Sequence, residues 1–97
     1  MLTKIHKKGD QTILAICDTD LLGKRIEENK VVLDLEGDFY RGEEKDINMI
    51  MDMMRNVDMV NMVGEKSIAL GQKEGILDKE DIKVVQGVPH AQVLLVD

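Results

Sequence analysis

The chain has 97 residues, 43% apolar and 33% charged, with a formal net charge of −6. That size and balance suit one small folded domain over 1–97 and exclude disordered, collagenous and coiled-coil chains. A single cysteine excludes an internal disulfide and predicts a reducing, cytoplasmic setting.

Leu2 to Lys8 and Gln11 to Cys17 read as two strands around a tight turn at Gly9-Asp10. Lys4, His6 and Lys8 share a face with Leu2, and Thr3, Ile5 and Lys7 share the other, the look of an edge strand guarded by lysines. Ile13 to Ile16 are apolar without a break, as in a strand covered on both faces. Asp18-Thr19-Asp20 reads as a helix start, with Leu21-Leu22 as its apolar contact and Gly23 ending it after little more than a turn. Continuation of that helix to Glu28 is the alternative. Lys30 to Glu36 is the next strand, and Gly37 to Gly42 is a loop carrying both aromatics, Phe39 and Tyr40.

Glu43 to Asn56 is the clearest helix, acidic at its start and closed by Arg55. Its apolar residues, from Ile47 to Val57, span about 200° of the helical wheel. Met59 to Val63 is a short strand, and Glu65 to Glu74 a helix with Gly75 as its C-cap. Ile82 to Gln86 and Ala91 to Val96 are the last strands, joined by a rigid corner at Gly87-Val88-Pro89-His90. Val93 to Val96, apolar on both faces, reads as central, and is far too short to span a membrane. Met1 to Asp10 lacks the apolar core of a signal peptide, so no membrane role is expected. The expected fold is α+β: a single small domain with a mixed β-sheet of five to six strands, two longer helices and one short helix.

The residues that can carry chemistry are Cys17, Asp18, Lys24, Asn61, Glu65, His90 and Gln92. His90 beside a central strand has the chemistry for proton transfer, and a histidine that locks its loop is the plainer reading. Cys17 precedes a predicted helix start, which favours a thiolate, but Asp18 and Asp20 oppose one, so a buried structural thiol is favoured. A Cys17–His90 dyad has the right groups for nucleophilic catalysis. A zinc site would draw on Cys17, His6, His90 and carboxylates, yet no metal-ligand spacing is present, and no metal or cofactor is expected. Asp18 and Asp20 suit Mg²⁺ as well as they suit capping. Gly64-Glu65-Lys66-Ser67 departs from the phosphate-loop pattern, because Glu65 stands where a glycine should precede the lysine. Asn61, just before it, reads as a loop-bonding side chain.

Four segments stand out by their order and spacing: Cys17-Asp18 with Leu21-Leu22-Gly23-Lys24, Phe39 to Gly42, Asn61 to Glu65, and Gly87 to Gln92. With them the chain resembles, over essentially its whole length, a family of small archaeal proteins of about this length catalogued as a domain of unknown function. The resemblance implies a cytoplasmic archaeal protein and attaches no activity or catalytic residue to it. A role near translation or RNA metabolism is an expectation that goes with the family.

Residues 1–25 carry a net charge of +2 and residues 26–97 one of −8. An acidic body predicts a basic partner. Lys4, Lys7, Lys8, Lys24 and Arg25 are a thin basic edge without stacking aromatics, so direct RNA binding is disfavoured. Six of the seven methionines fall between Met49 and Met62, a flexible apolar surface suited to a partner or to a homodimer through the Met-rich helix. The sequence therefore predicts a non-enzymatic protein-interaction module that docks on a protein or ribonucleoprotein. The alternatives are a small enzyme using His90 with Cys17 or Asp18, and weak RNA binding by the basic edge.

Overall fold

Three two-residue turns set the strand pairing. Gly9 takes φ +60° between β1 (Leu2–Lys8) and β2 (Gln11–Cys17). Asn29 and Lys30, at +50° and +71°, join β3 (Arg25–Glu28) to β4 (Val31–Asp34). Gln86 and Gly87, at +51° and +77°, join β7 (Lys83–Val85) to β8 (Val88–Leu94). Positive φ in such turns matches the right-handed twist of the strands they connect. Between the hairpins lie β5 (Glu43–Glu44), helix α1 (Ile47–Met54), β6 (Met59–Val63) and helix α2 (Glu65–Glu74). Short 3₁₀ turns occupy Thr19–Leu21 and Lys79–Asp81. This computed structural model describes residues 1–95.

Six strands form one mixed sheet in the order β5-β1-β2-β6-β8-β7, with β2 and β6 parallel and the other pairs antiparallel. Strands β3 and β4 form a separate two-stranded sheet. One face of the large sheet, with Leu14, Ile16, Val60, Met62 and Ala91, packs under Ile50 and Met54 of α1 and Ile68 and Leu70 of α2. The opposite face carries a smaller cluster in which Cys17 and Val63 meet Leu35, with Leu21, Leu33, Tyr40 and Val88 around them. The fold is thus α+β, as expected.

Several expectations are corrected. Arg25–Glu28 is a strand rather than a helix end or a loop, because Ile26 pairs with Leu33 across the Asn29-Lys30 turn. The long helix starts at Ile47, not Glu43. Asp46 caps it, accepting Met49 N–H at 2.9 Å, while Glu43-Glu44 extend along the edge of β1. The Gly87–His90 segment is not a corner: the turn is Gln86-Gly87, and Pro89 and His90 lie within β8. Proline is accommodated because β6 has ended there, and only its carbonyl is needed, accepting Gly64 N–H at 2.8 Å. Leu94, expected to be central, is 56% exposed. Val96, the expected end of that strand, lies outside the described residues.

Candidate functional site

The parallel pair β2–β6 puts two strand carboxyl ends side by side, at Cys17 and Val63. Crevices at such ends are where open α/β sheets usually receive ligands. Here α2 begins immediately beyond β6, at Gly64, and the chain leaves β2 at Asp18. Asp18 N–H donates to the Val63 carbonyl at 3.0 Å, which turns the Asp18 side chain toward the helix start. Its Oδ1 accepts the Ser67 N–H and the Ser67 hydroxyl, both at 2.8 Å, and its Oδ2 accepts Lys66 N–H at 3.0 Å. The carboxylate is only 6% exposed.

The reason for this arrangement lies in α2 itself. Its N-cap is Gly64, which has no side chain to satisfy the orphan N–H groups, so the cap arrives from β2. Gly64 is required twice over. Its φ is +109°, and an added Cβ would stand 2.5 Å from Asp18 Oδ2. Asp18 therefore caps a helix 48 or 49 residues away, and makes no side-chain bond to the short 3₁₀ turn that follows it.

A cleft of about 220 Å³ lies over this junction, with Asp20, Glu65, Lys66 and Gly87, Val88 and Pro89 in its walls. An anion gains little there. The helix N-terminus that would attract it already faces the Asp18 carboxylate, and Glu65 and Asp20 add like charge. Cys17 is fully buried and donates its thiol hydrogen to the Asp18 carbonyl at 3.2 Å. Burial first, then the charges of Asp18 and Asp20, push the thiol up to about 11, so it stays protonated at neutral pH.

His90, Asn61 and Gln92 form a second group. The β6–β8 register pairs Asn61 with Gln92 and Val63 with His90, which sets the three polar side chains on one face of the sheet. Gln92 reaches the Met59 sulfur at 3.2 Å. Burial, and then Lys83 opposite on β7, hold the His90 imidazole below its ordinary value. The buried His90 Nε2 and Asn61 Oδ1 have no hydrogen-bonding partner among the described residues.

The structure thus brings together Cys17, Asp18 and Glu65 at the start of α2, and Asn61, His90 and Gln92 on the β6–β8 face. It does not join the two groups. Cys17 and His90 both stand in register with Val63, on opposite flanks of β6, roughly two strand spacings or ~10 Å apart. Lys24 belongs to neither group: it is exposed, just ahead of β3. His6 stacks on Phe39 with ring centroids 4.2 Å apart and bonds the Phe39 carbonyl at 2.8 Å, far from any zinc-like set. Among the described residues no three His, Cys, Asp or Glu side chains converge to hold a metal. Ser67 and Gly64 were missed as partners of Asp18. The signal was present in a helix start lacking any capping side chain of its own.

Helices among the described residues are all too short or too polar to cross a membrane. Compared with known proteins, the chain is similar over 99% of its length to a protein of known structure, an uncharacterized conserved protein from Methanopyrus kandleri. That likeness has 27% identity and a TM-score of 0.79 and covers 93% of the other chain. No curated protein matches. Residues 6–96 match the family described as protein of unknown function (DUF424), and the chain belongs to that family.

Proposed function

We propose that the protein is a non-enzymatic, cytoplasmic interaction module that docks on a protein partner, in the setting of translation or RNA metabolism. The observation that carries this reading is the placement of the polar residues. Asp18 is engaged in capping, the Cys17 thiol is buried and protonated, and His90 stands two strands away from both. Apolar side chains are exposed instead: Ile47 at 52% and Met49 at 49% on α1. Ile47 borders a groove of about 300 Å³ floored by Ala69 and Leu70 and flanked by Lys66 and Lys73. The acidic body alone points to a basic partner. At contact range the local lysines outweigh distant charge, because salt screens fields beyond about 10 Å. The groove therefore suits an apolar segment with acidic flanks.

The test is affinity purification from a native lysate with and without ribonuclease, using the wild type and an Ile47→Asp/Met49→Asp variant. A protein retained by the wild type after ribonuclease, and released by a variant of unchanged melting temperature, is expected. Retention of nothing, or loss of everything on ribonuclease treatment, would sink the reading.

A second reading, a small polar ligand at His90, has one observation in its favour: the unpartnered His90 Nε2 and Asn61 Oδ1 on the same face.

A further inference from the structure

Among the described residues, strand β1 has β2 on one side and the two residues of β5 on the other. Its hydrogen-bond parity follows from the turn. Lys8 and Gln11 flank a two-residue loop and form a bonded pair, so the peptide groups of Lys4, His6 and Lys8 face β2. Those of Met1, Thr3, Ile5 and Lys7 then face outward. The chain's own 43–45 segment fills the first two outward positions. Lys45 N–H donates to the Met1 carbonyl at 3.4 Å, and Glu43 stands opposite Thr3.

The ladder stops there for a local reason. Arg41 N–H turns back to the Asp38 carbonyl at 3.1 Å, and Gly42 N–H to the Tyr40 carbonyl at 3.0 Å, so the chain leaves the edge. Among the described residues the outward peptide groups of Ile5 and Lys7 have no backbone partner. A groove of about 480 Å³ lies at the Ile5 end of this stretch, with Ile5, Arg41, Glu43, Lys45 and Met53 in its walls.

We infer that the open edge of β1 at Ile5 and Lys7 receives an extended, acid-rich segment of a partner protein, which adds as a further strand beyond the end of β5. The inference rests on the docking-module reading and gives it a second contact surface. Three observations set the chemistry of the occupant. Strand β1 contains three lysines and no acid. Lys7 and Lys8 are exposed and form no ion pair among the described residues. The acids of the segment already on this edge are engaged elsewhere, Glu43 with Lys45 and Glu44 with the N-terminus, which leaves Lys7 and Lys8 to a partner. A partner residue opposite Ile5 shares the face of Ile5, toward Met53 of α1, and is best apolar. Acidic neighbours then reach Lys7 and Lys8, since Lys4 already donates to the Asp38 carbonyl at 2.8 Å. A second copy of this chain would set lysines against lysines on the same edge, which disfavours self-pairing.

The experiment is a titration of the isotopically labelled full chain, read amide by amide by NMR, with the peptide acetyl-Glu-Glu-Val-Glu-Glu-amide and with its lysine counterpart. The Ile5 and Lys7 amides should shift saturably with the acidic peptide alone. The effect should weaken by about tenfold or more in a Lys7→Glu/Lys8→Glu variant that keeps the native spectrum, and vanish near 1 M salt. Unmoved Ile5 and Lys7 amides, equal binding of the lysine peptide, or an edge protected by concentration-dependent self-association would each overturn the inference. So would a lysate partner held equally by the wild type and by Lys7→Glu/Lys8→Glu but released by Ile47→Asp/Met49→Asp. That last result would leave the docking module standing and remove only the β1 edge.

Discussion

Asp18 shows how one side chain ties distant parts of the chain together. Its two oxygens accept three hydrogen bonds from Lys66 and Ser67, and the group is nearly inaccessible to water. Replacing the carboxylate with an amide turns one acceptor into a donor that faces N–H groups. Asp18→Asn should therefore cost about 2–3 kcal/mol, read by urea unfolding, with Ser67→Ala costing about 1 kcal/mol. The double variant should show a coupling close to the full Ser67→Ala cost, about 1 kcal/mol, and additivity within about 0.3 kcal/mol would contradict the shared network. Asp18 and Glu65 stood out in the sequence as short-range features, an N-cap and a failed phosphate loop. Their meeting was illegible there, because nothing local encodes a cap that crosses from β2 to α2. The same holds for His90 and Asn61, which only the strand register sets on one face.

At the scale of elements, hydrophobic period and turn chemistry located most strands and α2 to its end residues. They failed where an edge competes with a helix. Glu43 and Glu44 are good residues for a first helical turn, yet pairing with β1 and the Asp46 cap outweigh that preference. Arg25–Glu28 has weak strand character, and the positive φ of Asn29 and Lys30 is what makes it half of a hairpin. In α2, Gly71 sits against a close contact. An added Cβ would stand 2.5 Å from Leu77 Cδ2 and 2.6 Å from the Met62 sulfur. Gly71→Ala gains about 1 kcal/mol of helix propensity but overpacks that contact, so a net loss of about 1–2 kcal/mol is expected in thermal or urea unfolding. A stabilised variant would show that the Met62 side chain yields freely.

For the whole molecule, the pH dependence of stability follows from groups placed by the tertiary fold. The folded state holds the His90 proton affinity below the ordinary 6.5. The unfolded chain then binds the proton more readily, so the His90 contribution is complete above about pH 6.5 and is lost as pH falls below it. Glu43 and Glu44 are held below the ordinary 4.5, by Lys45 and by Thr19 and the N-terminus respectively. Their contribution persists to lower pH and fades only under pH 4.5. Urea unfolding across pH 7 to 3 should therefore show an early decline that His90→Gln removes and a later one that it leaves in place. An unchanged early decline in His90→Gln would contradict this assignment.

The sequence by itself determined the α+β class, the two hairpin strands at the start, α2 with its Gly75 cap, and the family. Those features depend on period, turn residues and short motifs, which act over a few neighbouring positions. Only the tertiary structure decided that Asp18 caps α2, that Cys17 and His90 stay on opposite flanks of β6, and that Glu43-Glu44 pair with the start of β1. Each is a matter of which strand lies beside which, and strand order comes from packing the whole chain. The acidity and scarce aromatics of the composition hold for the molecule as a whole. Ile47 of α1 is exposed beside Lys66 and Lys73, and Lys7 and Lys8 of β1 are exposed, a local arrangement that the overall charge does not show.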